Sequence, residues 1–340
     1  MMERIVLAYS GSDDDSEAIS LLADEFGSEI VTLTLDVGQD QELEAVRDHS
    51  LAAGAVRAHV LDARAEFAHE FVLPALQAGA RDDGREPTTF PLAHALISKK
   101  LVEMAAIEEA TAVAHRRRGR DCVRIESSVR ALNPDLHVLS LSAPAERVKT
   151  RTNLWGRAVD YETREGPAEA MYAWTKSRDA APDTGAGLEL NFERGVPKAV
   201  NGVPLDLSEL IESLSIIAGR HGVGRIASPN ETGGRFRCLY ETPAAVVLHA
   251  AHAALESATG VYAETSLKQH IRQVYPELIM RGLWFTPLRT ALDAFNGVIQ
   301  SQVNGTVRLQ LLKGNYTVAD VRVTDLESPM LEFPLVVPQS

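Results

Sequence analysis

The sequence predicts an α/β fold, a parallel sheet with helices on both faces, followed by a second domain of α+β character. Three observations carry this prediction. Short apolar runs alternate with helix-period segments over residues 1–145, the pattern of a parallel sheet with crossover helices. Over 146–340 that alternation gives way to a mixed order of strands and helices. The length of 340 residues, at about 100–200 residues per domain, calls for two domains.

The first domain opens with Ile5-Val6-Leu7-Ala8, a continuous apolar run typical of a strand covered on both faces. Ala18, Ile19, Leu21 and Leu22 then recur at helical spacing. A second strand runs from Ile30 into the polar turn Val37-Gly38-Gln39, and Leu43 to Ala53 reads as a helix stopped by Gly54. Ala58 to Asp62 is a third strand, and Glu66 to Gly79 is helical. Leu96 to Glu109 is a further helix leading into strand Ala112 to His115, and Val138 to Leu141 is the last strand.

From about Ser142 to Gly187 the texture is that of connecting loops, rich in proline, arginine and threonine, then in glycine and aspartate. Beyond lie a strand at Leu188 to Phe192, a turn at Asn201-Gly202, helices at Ser208 to His221, Ala244 to Ala258 and Leu288 to Val303, and a strand at Gly305 to Leu312. The sequence contains no internal repeat and no low-complexity segment.

Composition narrows the function classes. Lys plus Arg total 34 against 47 Asp plus Glu, a net charge of -13, which argues against a nucleic-acid or anionic-membrane surface. The 2 cysteines, Cys122 and Cys238, are too few and too far apart for a zinc motif or a disulfide framework, so a reducing compartment is expected. With no signal peptide and no apolar run long enough to span a bilayer, the chain reads as cytoplasmic.

Candidate chemistry begins at the turn after the first strand. Ser10 and Gly11 let backbone approach a ligand, and Ser16 is expected to open the helix, where free N–H groups favour an anion. The turn is thus a candidate phosphate cradle; the alternative is a strand-turn-helix corner whose aspartates are solvated. Asp13, Asp15 and Glu17 alternate like a calcium loop but lack its glycine and terminal glutamate. His249 and His252 share a helix without a third ligand, so packing is the better reading and no metal site is expected.

The turn resembles the pyrophosphate loop S-G-G-x-D-T/S-S of ATP pyrophosphatases at Ser10, Gly11, Asp14 and Ser16, with Ser12, Asp13 and Asp15 departing from it. The wider chain resembles argininosuccinate synthase. The matching segments include I-V-L-A-Y-S-G at the start, T-L-D-V-G-Q at Thr34 to Gln39, N-L-W-G-R at Asn153 to Arg157, A-G-R-H-G-V-G-R-I at Ala218 to Ile226, Y-E-T-P at Tyr240 to Pro243, and G-L-W-F-T-P-L-R at Gly282 to Arg289. They keep family order over nearly the whole chain.

The resemblance implies an adenine nucleotide alpha hydrolase-like nucleotide-binding domain at 1–145, a synthetase/multimerisation domain at 146–340, and a homotetramer. It also implies a C–N ligase reaction in which ATP, with Mg2+, adenylates an acceptor and an amino acid amine displaces AMP. Carried over residue by residue, it assigns Asp14, Asp121 and Arg124 to catalysis. It assigns Ala8, Ser10, Gly11, Ser12, Ser16, Leu35, Asp36 and Arg116 to the nucleotide, and Arg118, Arg120 and Tyr240 to substrate.

Departures gather at the acceptor site. The family segment Y-P-L-G-T-S-L-A-R-P aligns with Glu86 to Ala95, so tyrosine becomes Glu86, threonine and serine become Phe90 and Pro91, and arginine becomes His94. Two further family serines correspond to Lys149 and Ala158. The glycine-rich A-H-G-x-T-G-K-G-N-D-Q-V-R-F-E appears as Ala114 to Glu126, about two residues shorter, with Arg116, Arg117, Arg118 and Arg120 in its middle. That arginine run is either a solvated loop or an anion site facing Ser10 to Ser16.

Two functions follow: a ligase with an altered ureido or carboxylate acceptor, or a catalytically silent paralogue acting as a binding or assembly protein. Small molecules are the expected partners, with no nucleic acid and no membrane.

Overall fold

The computed structural model describes residues 4–39, 41–80, 87–141, 150–161, 166–228, 237–259 and 265–324. The first unit runs β1 (Arg4–Ala8), α1 (Asp13–Phe26), β2 (Glu29–Asp36), α2 (Leu43–Ala52), β3 (Arg57–Asp62) and α3 (Arg64–Glu66). A π-helical stretch (Phe67–Val72) carries α3 into α4 (Leu73–Ala78), and α5 (Thr89–Ile107), β4 (Ala112–His115), α6 (Gly119–Leu132) and β5 (His137–Ser140) follow. The strands form one parallel sheet in the order β3-β2-β1-β4-β5. Ile5, Val6 and Leu7 are buried because helices cover both faces of the sheet, which is why β1 lacks the alternation of a one-sided strand.

The second unit contains β6 (Thr150–Asn153), β7 (Gly156–Tyr161), β8 (Ala186–Glu193), β9 (Val196–Val200), β10 (Val203–Pro204), α7 (Leu207–Arg220), β11 (Arg225–Ser228) and β12 (Arg237–Glu241). It ends with α8 (Pro243–Ala258), α9 (Thr265–Met280), α10 (Pro287–Gln300), β13 (Gly305–Leu312) and β14 (Asn315–Val323). Two antiparallel sheets result, β11-β12-β7-β6 and β10-β9-β8-β13-β14. The α+β expectation for this half is therefore met. No helix among the described residues is long and apolar enough to cross a membrane.

Several expectations need correction. The helix expected from Leu96 begins at Thr89, and its first turns are buried as far as Leu96, so Phe90 and His94 lie on a helix against the core. Pro91 is tolerated because a first-turn residue needs no amide donor. The stretch read as connecting loops contains β6 and β7, whose polar residues conceal a strand pair. Helix α6 was not foreseen at all; its arginines mask a face on which Ile125 and Val129 are fully buried. Helix α9 was also missed, although Ile271, Tyr275, Leu278 and Ile279 recur at helical spacing and are buried.

The two units share one core. Phe71 stacks on Trp284 at 5.4 Å, and Tyr275 meets Trp284 edge-on at 6.0 Å, joining the helices after β3 to α9 and the turn that follows it. The turn after β2 docks onto the turn between β6 and β7, where the Leu154 amide donates to the Val37 carbonyl at 2.6 Å.

Candidate active site

Strand order in the parallel sheet reverses between β1 and β4, and in such sheets a ligand is expected beyond the carboxyl ends of these two strands. Two turns lie there, Tyr9 to Ser12 and Arg116 to Arg118. Helix α1 begins at Asp13, not Ser16: Ser12 is the cap, and its hydroxyl accepts the Asp15 amide at 3.3 Å. An acid on the first turn, Asp15, suits the positive end of the helix dipole, which favours this earlier start.

The cradle is occupied from within. Asp15 folds back so that its Oδ2 accepts the Ser10 amide at 2.8 Å and the Ser10 hydroxyl at 2.5 Å. Gln41 Nε2 holds the Ser10 carbonyl at 2.9 Å, and the Tyr9 and Ser16 hydroxyls share a 2.8 Å hydrogen bond. Gly11 has φ of 84°, and a Cβ there would lie 2.9 Å from Val46, so the turn needs glycine. Asp14 lies on the first turn of α1, and its side chain is outside the described residues.

Around this turn, Ala8 pairs with Leu33 in the sheet, and the Leu35 carbonyl accepts Gln39 Nε2 at 2.6 Å. Asp36 Oδ1 accepts the Gly38 amide at 2.9 Å. Arg116 reaches across from β4 to within 3.8 Å of the exposed Glu17 on α1.

A second cluster forms between α5, α6 and the β11-β12-β7-β6 sheet. Asp121 on the first turn of α6 receives Arg124 Nη1 at 2.5 Å, and His94 Nδ1 stands 3.4 Å from the same carboxylate oxygen. Arg124 is fully buried, and its Nε also donates to the Met280 carbonyl at 2.8 Å, so it positions Asp121 and ties α6 to α9. Arg118 and Arg120 are exposed, on the N-cap and first turn of α6.

Burial pushes the His94 imidazole down to about 3, with the neighbouring arginines adding to the shift and Asp121 opposing it. His94 is thus neutral at physiological pH. Burial alone would raise Asp121, but His94 when protonated, then Arg124, Arg151 and Arg117, more than offset that and keep the carboxylate ionised. Arg151 stays protonated because Asp160, whose Oδ1 it contacts at 3.1 Å, outweighs burial.

Beside these charges lies an apolar patch. Phe90, Ala158 and Tyr240 pack together, with Ile226 and Cys238 against them, and Arg151 lies over the Phe90 ring at 5.0 Å. Thr89 Oγ1, His94 Nδ1 and Arg151 Nε are buried polar atoms with no hydrogen-bond partner among the described residues. Buried polar atoms left this way in a crevice point to a ligand or to ordered water. Glu86 and Lys149 are outside the described residues.

The structure thus divides the sequence candidates into two groups. Ser10, Gly11, Ser12 and Ser16 lie together in the turn, with Ala8, Leu35 and Asp36 on the strands beside it and Arg116 near Glu17 on α1. Asp121, Arg124 and Tyr240 belong to the second cluster, while Arg118 and Arg120 face outward. Sequence reasoning missed Asp15 as the group that closes the cradle, although Ser12 followed three residues later by an acid is a helix-capping spacing. It also missed Arg151, which no local pattern marks.

A five-stranded parallel sheet with a glycine-containing turn at its switch point, followed by two antiparallel sheets, defines an α/β domain carrying a second domain. Comparison with known families gives this class a name. Residues 4–165 match the arginosuccinate synthase N-terminal HUP domain, and residues 149–328 match the arginosuccinate synthase C-terminal domain. The chain belongs to the argininosuccinate synthase family.

Its relatives include the argininosuccinate synthase of Synechococcus elongatus, 41% identical over 93% of this chain and 87% of the relative. That of Symbiobacterium thermophilum is 41% identical over 92% of this chain and 86% of the relative. That of Dehalococcoides mccartyi is 37% identical over 94% and 86%.

Proposed function

We propose that this chain is an ATP-dependent carbon–nitrogen ligase of the argininosuccinate synthase type whose acceptor is not citrulline. The observation that carries the reading is the Phe90, Ala158 and Tyr240 patch beside His94 and Arg151. Where the family pattern has hydroxyls and an arginine, this chain has a ring, a methyl group and a neutral imidazole. Such a surface favours an acceptor with an apolar body, its ureido or carboxylate oxygen near the Arg151 guanidinium.

In this reading, Ser10, Gly11, Ser12, Asp14 and Ser16 hold the pyrophosphate portion of ATP, and Ala8, Leu35, Asp36 and Arg116 lie along the rest of the nucleotide. ATP supplies the adenylyl group: the acceptor oxygen attacks the α-phosphorus and pyrophosphate leaves. An amino acid amine then attacks the activated carbon and displaces AMP. Asp121, positioned by Arg124, orients the amine and Tyr240 contacts substrate, while the exposed Arg118 and Arg120 at the start of α6 would have to turn inward to reach it.

The donors on Ser10 fit a phosphate, since they already hold a carboxylate. Asp15 must leave first: two unit charges 4 Å apart repel by about 4 kcal/mol at an effective dielectric of about 20. Mg2+ entering with the nucleotide offsets part of that charge. Family-type self-association and a cytoplasmic location belong to the same proposal.

The test is pyrophosphate release by the purified chain with Mg-ATP, an amino acid amine and a panel of ureido and carboxylate acceptors. Release with an apolar acceptor in preference to citrulline is expected. Turnover of citrulline with aspartate at an ordinary synthase rate would overturn the altered-acceptor reading.

A second reading, a catalytically silent paralogue, is favoured by the Asp15 to Ser10 contacts. Calorimetry separates the two. The absence of both heat and thermal shift at millimolar Mg-ATP would select the silent protein.

A further inference from the structure

We propose that His115, Cys122 and Glu126 form a binding site for one borderline-soft divalent cation of the zinc type, where β4 passes into α6. A ring nitrogen of His115, the Cys122 thiol sulfur and a Glu126 carboxylate oxygen all lie within 4.8 Å of one another. Imidazole, thiolate and carboxylate are zinc's own ligand set, and three protein ligands leave a fourth position for water.

The fold builds this arrangement from three elements. His115 ends β4 and is fully buried, and it pairs in register with Ser140 of β5. Cys122 and Glu126 stand one turn apart on α6, and the thiol donates to Glu126 Oε1 at 3.1 Å. The Ser140 hydroxyl lies 3.2 Å from the same sulfur, so the strand pair and the helix converge there. Arg130 approaches the other Glu126 oxygen at 3.7 Å, the kind of outer contact that orients a ligating carboxylate.

A second observation concerns the same imidazole. His115 Nδ1 accepts the Arg117 amide at 3.1 Å, whereas Nε2 is buried with no hydrogen-bond partner among the described residues. A buried imidazole nitrogen without a partner costs free energy that a ligand would recover. Ligation through Nε2 moves the ring proton to Nδ1, so the Arg117 amide must turn aside. One loop hydrogen bond is small beside the bonds a thiolate and an imidazole make to zinc.

Charge also balances. Metal binding releases the thiol proton to solvent, and the resulting thiolate and carboxylate neutralise a divalent ion. The site adjoins Asp121, so occupancy would brace the helix that carries the second cluster of the crevice.

The test uses the full, untagged chain, freed of metal and titrated with Co2+ as a spectroscopic probe. One Co2+ per chain is expected, with a thiolate-to-cobalt charge-transfer band that Zn2+ abolishes and that strengthens as pH rises. Cys122→Ser should lose the band and Glu126→Gln should weaken binding at least tenfold, while Cys238→Ser binds Co2+ as wild type does. Zn2+ should raise the melting temperature of wild type and of Cys238→Ser. If Cys122→Ser does not fold, the Cys238→Ser chain, with Cys122 as its remaining thiol, decides the matter. Absence of the band there, or its persistence in a folded Cys122→Ser chain, would overturn the proposal.

Discussion

At the scale of single residues, Asp15 decides how the cradle behaves. Its carboxylate satisfies the same Ser10 amide and hydroxyl that a phosphate would need. Replacing it removes both a competitor and a like charge. Asp15→Ala is therefore expected to tighten Mg-ATP binding at least tenfold by calorimetry, about 1.4 kcal/mol, well inside the ~4 kcal/mol that close charge repulsion allows. Unchanged or weaker affinity would show that the carboxylate does not oppose the nucleotide.

Glu241 is the opposite case, a buried charge that stabilises. Its two oxygens accept Arg157 Nη1 at 2.5 Å, the amides of Ala173, Trp174 and Thr175, and the Thr175 hydroxyl at 2.7 Å. Glu241→Ala would leave a largely buried guanidinium without its counter-charge and three amides without acceptors, a loss of about 3–5 kcal/mol. Urea denaturation checks it, and a loss below about 1 kcal/mol would contradict this account.

At the scale of elements, the contact between α6 and the end of α9 holds Asp121 in place. Gly282 packs on the α6 backbone: its φ is +70°, and a Cβ would sit 2.6 Å from the Arg124 Cα and carbonyl oxygen. Backbone cannot give way as a flexible side chain can. Gly282→Ala is expected to destabilise the chain by about 2 kcal/mol or more, combining positive-φ strain with overpacking. It should also lower any pyrophosphate release by moving Arg124 and, through it, Asp121. Retention of wild-type stability in a melting experiment would argue against this contact as the anchor.

At the scale of the whole molecule, the buried histidines set the response to acid. Burial lowers His94 from 6.5 to about 3, and His252, bonded to Gln300 between α8 and α10, from 6.5 to about 4. Both are depressed, so between pH 6.5 and those values the unfolded chain binds protons that the folded chain refuses. Stability is then lost as pH falls, at about 1.4 kcal/mol per pH unit for each histidine. Glu108 and Glu256 work in the same direction: burial raises each, but His59, Arg57 and Arg4 around Glu108, and Lys268, His252 and Arg272 around Glu256, hold them below 4.5. The urea midpoint should fall from pH 6.5 downward and more steeply below 4.5. A flat or rising midpoint on acidification would contradict this.

The parallel-sheet unit was legible in the sequence because its signals are local: apolar runs such as Ile5 to Ala8 and helical periods such as that of α1 need no knowledge of distant chain. The family pattern marked the Ser10 to Ser16 turn and Asp121 as candidates in the same way. Helix α6 was not legible, because its arginines serve tertiary partners, Arg124 to Met280 above all. Nor were β6 and β7, whose polar residues are paired across the sheet and against Phe90. The sequence by itself determined the strands of the parallel sheet and the chemistry available at each turn. Only the tertiary structure decided which charge answers which, because Asp15 on Ser10, His94 beside Asp121, and Cys122 near His115 are matters of direction and distance, and these arise only when separate helices and strands close on one another.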